Sequence, residues 1–112
     1  MALSDNKPIL SYGVMGGQYK PVGHVHVLNN IFDYNMNPQE ALDFPRAFHF
    51  NDIYMLESGI DKNIEDWLKK NGHETSRIND THGGGQAIRI NWKDGLLIGG
   101  SDPRKDGFAL GI

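Results

Sequence analysis

The residues of this chain best suited to chemistry are Met15-Gly16-Gly17-Gln18-Tyr19, a glycine pair that opens into a helical pattern. The first amides of a helix have no internal acceptor and lie at the positive end of its dipole. Such a turn can hold a phosphate, a carboxylate or the oxyanion of an acyl-transfer intermediate. No Lys-Ser/Thr pair follows the glycines and no G-x-G-x-x-G is present, so this is not a nucleotide phosphate loop. The same residues also suit a tight strand-to-helix turn without a ligand, and the local pattern leaves both readings open. Gly83-Gly84-Gly85-Gln86 has the same two readings, as a ligand-facing loop or as a turn before a strand.

Other reactive residue types form no comparable pattern. His24 and His26, two apart on a helix, point to different faces. His49, His73 and His82 have no partner at metal-ligand spacing, so no metal and no cofactor are implied. Asp33, Glu40 and Asp43 read as helix-end or solvated carboxylates. Ser101-Asp102-Pro103-Arg104-Lys105-Asp106-Gly107 predicts a self-bonded turn in which Arg104 grips a carboxylate. Ser101 has no obvious base beside it, which argues against a Ser-His-Asp arrangement.

The elements that position these residues follow from periodicity and punctuation. Pro8 to Met15 reads as a strand, with proline tolerable only at its start. A helix is expected from about Gln18 to Tyr34, with Val25, Leu28, Ile31 and Phe32 facing inward and Asn35 as a left-handed terminus. Asn37-Pro38-Gln39-Glu40 is a helix start with cap, proline and reciprocal Glu, and Phe44-Pro45 ends that helix early. Ile53 to Glu57 reads as a strand. Asp61 caps a helix with Ile64, Trp67 and Leu68 inward and Gly72 beyond its end. Glu74 to Ile78 is a further strand, and Gln86–Trp92 and Leu96–Gly99 form a hairpin around Asp94-Gly95. The order β-α-α-β-α-β-β-β suits an α+β arrangement. The final pair is expected at the centre of a mixed or antiparallel sheet that the first strand joins, with helices packed on one face.

Composition bounds the rest. A chain of 112 residues holds one domain, 1–112, with a modest core. Eleven basic against fourteen acidic side chains give a net charge of -3, which argues against nucleic acid as a partner. No apolar run approaches the ~20 residues of a membrane span. The N-terminus carries no export signal, leaving the cytoplasm as the default location. With no cysteine there is no disulfide frame and no thiolate nucleophile.

Several segments, taken in order, resemble the γ-glutamyltranspeptidase (γ-glutamyltransferase) family. They are Gly16-Gly17, Phe32-Asp33-Tyr34, Asn37-Pro38-Gln39-Glu40-Ala41-Leu42-Asp43-Phe44-Pro45-Arg46, Gly85-Gln86-Ala87-Ile88 and Gly99-Gly100-Ser101-Asp102-Pro103-Arg104. The resemblance implies the N-terminal nucleophile hydrolase superfamily and part of its αββα sandwich. Those enzymes are precursors that cut themselves into two subunits. The freed N-terminal threonine of the small subunit then attacks the γ-glutamyl amide of glutathione or a related compound, and water or an amine takes the acyl group. Gly16 and Gly17 match the backbone amides that receive the oxyanion.

The departures from the family pattern carry equal weight. The only threonines are Thr75 and Thr81, both internal, and the family's paired serines ahead of the Gly-Gly turn have no counterpart. The expectation is a C-terminal piece of a small subunit, inactive alone. Its partners would be a complementary chain carrying the threonine nucleophile, or copies of itself in a homodimer or larger assembly, with a small γ-glutamyl compound as ligand. The alternative is a non-catalytic binding or scaffold module that self-associates and keeps the anion cradle.

Overall fold

A computed structural model of the chain describes residues 1–111. The elements in chain order are β1 (Ala2–Ser4), β2 (Lys7–Met15), a 3-10 turn (Gly17–Tyr19), α1 (Lys20–Phe32), α2 (Pro38–Asp43), β3 (Ala47–Phe50), β4 (Ile53–Leu56), α3 (Lys62–Lys70), β5 (Glu74–Arg77), β6 (Gly84–Asn91) and β7 (Leu96–Ser101). They fall into two compact units. The first joins Met1–Asp43 to the stretch beginning at Gly83, and the second is Phe44–His82.

The first unit is an antiparallel sheet in the order β1-β2-β6-β7. Side chains alternate along each strand, so the register Tyr12↔Ala87 and Val14↔Gly85 puts these residues and Leu10 on one face. That face is covered by α1, packed on β2, and by α2, packed on β6 and β7. Leu10, Val14, Val27, Ile31, Ala41, Leu42 and Ala87 are buried between the layers. Each large aliphatic side chain so buried stabilises the unit by about 1.5–3 kcal/mol. The capping box forms as expected: Glu40 N donates to Asn37 Oδ1 and Asn37 N to Glu40 Oε2, both at 2.9 Å.

In the second unit β3 pairs antiparallel with β4, and β4 pairs parallel with β5. A parallel pair needs a crossover, which α3 supplies, capped by Asp61 accepting from Asn63 N at 2.7 Å. Three buried polar residues tie the ends of the unit together. The Glu57 carboxylate accepts from Arg46 N and His82 N at 2.9 Å, and Arg46 Nη1 donates to the His82 carbonyl at 2.8 Å.

The structure corrects several expectations. The long helix starts at Lys20 after a 3-10 turn and ends at Phe32. Its inward face is Gly23, Val27, Asn30 and Ile31, while Val25 is 55% and Phe32 39% exposed. The cause is the close approach at Gly23, where a Cβ would stand 2.7 Å from Val14 Cγ1, so the thinnest residue of the helix meets the strand. In α3 Leu68 is buried, but Ile64 and Trp67 lie outside, because Glu65 takes the inward face to bond Lys69, Arg77 and Thr75. The final hairpin is not central as a pair: β6 is internal with β2 on its other side, and β7 is the edge. The short strands β1 and β3 were not expected. Each enters a hairpin through two left-handed residues, Asp5-Asn6 and Asn51-Asp52.

Candidate functional site

The Gly16-Gly17 turn lies where β2 ends and the helical run begins. Gly16 has φ 131° and Gly17 φ 57°, conformations that glycine adopts without the strain a Cβ would bring. The first bond of the turn runs from Tyr19 N to Gly16 O at 3.0 Å. The amides of Gly16, Gly17 and Gln18 precede that bond and have no helical acceptor. No acidic residue occupies the first turn of α1, so its positive end keeps its charge.

The turn is held from below by Gly83, which leads into β6. A Cβ on Gly16 would stand 2.8 Å from Gly83 Cα. Gly83, at φ 61°, is pressed in turn against the Met15 carbonyl and lies 3.0 Å, measured from its would-be Cβ, from Tyr19 Cδ1. The Tyr19 ring is buried and also covers Gly23. Two glycine segments distant in sequence therefore fix one another by backbone contact. Sequence reasoning singled out Gly16 and Gly17 but left Gly83 and Tyr19 without this role; the signal was the Gly83–Gly85 run, which had no structural reason to be so bare.

His24 braces the same corner. The Val14 amide can only donate, so His24 Nε2 accepts from it at 3.3 Å, and Nδ1 carries the proton given to the Lys20 carbonyl at 2.7 Å. His26 bonds Asn30, and His82 Nε2 meets the Met55 carbonyl at 3.0 Å. His49 and His73 gather around Tyr54. Among the described residues no group of three or more His, Cys, Asp or Glu could hold a metal ion.

The C-terminal motif forms a docking knot. Gly100 lets the start of α2 rest on β7, since a Cβ there would be 2.8 Å from Gln39 N. The Gln39 amide pairs with Ser101 as a strand would, donating to its carbonyl at 2.8 Å and accepting from its N at 3.0 Å. Asp102, fully buried, accepts from Gly85 N at 2.8 Å and from Arg104 N and Nη1, while Arg104 Nη1 also reaches the Leu42 carbonyl at 2.7 Å. Ser101 Oγ is buried without a hydrogen-bond partner among the described residues, so no base stands there to activate it. Thr75 sits inside β5, and Thr81 lies in the loop after it.

The family model described as gamma-glutamyltranspeptidase matches residues 1–112. The glutathione hydrolase-like YwrD proenzyme of Bacillus subtilis (strain 168) is 32% identical over 122 residues, a match that takes in all of this chain and 23% of that protein. An acivicin-inhibited γ-glutamyltranspeptidase superposes with a TM-score of 0.85 at 31% identity, over 95% of this chain and 58% of that one. The cephalosporin acylase from Bacillus halodurans gives 0.90 at 37% identity, over 94% of this chain and 20% of that one. The chain thus spans under a quarter of the length of the curated proenzyme. Its α+β architecture, with antiparallel and mixed sheets, is that of the solved structures. Matched by the family model from end to end and sharing its fold with solved relatives, the chain belongs to the γ-glutamyltranspeptidase family.

Proposed function

We propose that this chain is the oxyanion-holding part of an enzyme that hydrolyses or transfers γ-glutamyl groups, and that it does no chemistry until a complementary chain brings the nucleophile. In this reading a threonine hydroxyl on the complementary chain attacks the γ-glutamyl amide carbonyl. The carbonyl oxygen becomes an anion, and the backbone N–H groups of Gly16 and Gly17 receive it. Donors preset for that charge need no rearrangement as it develops. The observation that carries the reading is the Gly16-Gly17 turn itself: amides without helical acceptors, at an unneutralised helix start, braced by Gly83. The two threonines among these residues, Thr75 and Thr81, lie in β5 and in the loop after it, so the reading takes the nucleophile from elsewhere.

A partner chain also has somewhere to bind. Met15, Ile88 and Leu97 lie on the sheet face away from α1 and α2, exposed by 55%, 45% and 70%. A complementary chain would cover this apolar surface; without one, a second copy would serve, giving a homodimer or larger assembly. The test is turnover of γ-glutamyl-p-nitroanilide by the purified chain, alone and mixed with a polypeptide carrying the family's N-terminal threonine and paired serines. Activity only in the mixture is expected. Turnover by the chain alone, or binding of the two without turnover, would contradict the reading; the second result would favour a non-catalytic module.

A further inference from the structure

His24 joins the two elements between which the Gly16-Gly17 turn is strung. β1 pairs with β2 only as far as Leu10, so the outer edge of β2 beyond it carries no strand. Val14 stands opposite Gly85 of β6, whose N–H and C=O are both taken by Asp102. Val14 therefore turns its N–H to the open edge, as residues of a non-hydrogen-bonded pair do. A backbone donor left there without an acceptor is costly. Gly23 brings α1 so close to Val14 that the next residue reaches this edge, and His24 Nε2 supplies the acceptor at 3.3 Å.

The other ring nitrogen donates to the Lys20 carbonyl at 2.7 Å. Val14 lies two residues before Gly16, and Lys20 three after Gly17, so one imidazole ties both ends of the turn. Only the neutral ring can do this. With a second proton Nε2 becomes a donor and meets the Val14 N–H donor to donor. The tie to the strand is then lost while the bond to Lys20 remains. The ionisable groups around the ring are Tyr12 on β2, its ring centroid 5.3 Å away, and Lys20 and Lys105, which line a depression together with His24. No carboxylate lines that depression. Burial pushes the Tyr12 phenol up, so it stays uncharged at neutral and acid pH. Of these side-chain types only imidazole ordinarily changes charge between pH 5 and 8.

We propose that His24 is a positioning residue for the reaction: unprotonated, it holds the Gly16-Gly17 amides where they receive the oxyanion, and protonated it lets them go. The inference rests on the functional reading above. It adds to that reading a loss of rate in acid whose origin lies in this chain and not in the nucleophile.

The experiment compares the parent chain with two variants. His24→Gln keeps an oxygen that can accept from Val14 N and takes up no proton in this range; His24→Leu offers no acceptor. ¹⁵N–¹H NMR of the 112-residue chain alone reads the tie. At pH 8 His24 should carry its proton on Nδ1. As the pH is lowered to 5.5, the Val14, Gly16 and Gly17 amides should shift together with its ring nitrogens, and in His24→Gln they should stay in place. Unchanged spectra away from the corner at pH 8 verify the fold of the variants. Turnover of γ-glutamyl-p-nitroanilide in the mixture with the complementary polypeptide then reads the consequence. Relative to its own value at pH 8, the parent's kcat at pH 5.5 should fall about tenfold further than that of His24→Gln, with KM following one course in both. Titrations in the complementary polypeptide act on both alike and cancel in that ratio. His24→Leu should have a kcat about tenfold below the parent at pH 8 and the acid profile of His24→Gln. The proposal is overturned if Nε2 carries the proton at pH 8, if the Gly16 and Gly17 amides ignore the protonation of His24, or if parent and His24→Gln share one kcat profile. That last result leaves the functional reading intact. The expected spectra without turnover at any pH sink the functional reading and the positioning role with it, leaving a tie that is structural only.

Discussion

At the scale of single residues, two glycines with similar backbone angles face different demands. Gly17 has φ 57° and open space where a side chain would go. Gly83 has φ 61° but is pressed between the Met15 carbonyl and Tyr19. Gly17→Ala should therefore lose only the left-handed preference, about 1–2 kcal/mol. Gly83→Ala must also move backbone, and its cost should reach about 3 kcal/mol or more. Urea unfolding of both variants measures this, and equal losses would refute the bracing role of Gly83. The Gly16-Gly17 turn was legible in the sequence because glycine pairs before a helical pattern are rare and physically meaningful. Gly83 was not, because its constraint comes from the Gly16 turn, 67 positions away, and the Gly83–Gly85 run that marks it locally does not say what it contacts.

Among the elements, α3 shows how a charge can displace hydrophobic pattern. Glu65 faces inward, held by Lys69 at 2.7 Å and Arg77 at 2.8 Å. The Lys69 and Arg77 hydrogen bonds bring its carboxyl from the ordinary 4.5 down to about 2. A carboxyl whose folded value lies below its unfolded one stabilises the fold above the unfolded value, and that contribution fades as pH falls from there to the folded value. The difference in stability between the parent and Glu65→Gln should therefore be constant above about pH 5 and shrink steadily toward pH 2. A difference independent of pH would show that the network does not hold the carboxylate ionised. Helix ends were readable: Asn37-Glu40, Asp61 and Gly72 act as their types suggest. Helix faces were less so, because Glu65 and Gly23 settle the packing and neither scores as apolar. The short strands β1 and β3 escaped notice since Asp-Asn and Asn-Asp turns are weaker signals than Asp94-Gly95.

For the molecule as a whole, the most family-specific segments turn out to be structural. Asn37–Asp43 and Gly99–Arg104 meet through Gly100, Gln39, Asp102 and Arg104, so one motif docks on the other. That contact was not visible in the sequence; only its two halves were. The proposed site, by contrast, is a few amides at one corner of the first unit, and in the proposed reading it receives an anion that a nucleophile from outside these 112 residues creates. The central claim is that these amides stabilise a transition state formed by another chain's nucleophile. Replacing the Gly17 peptide N–H with an ester oxygen by semisynthesis removes one donor and leaves every side chain in place. In the mixed enzyme, the account predicts a fall in kcat of about 10²–10³-fold for γ-glutamyl-p-nitroanilide with KM little changed. An unaltered kcat would contradict it.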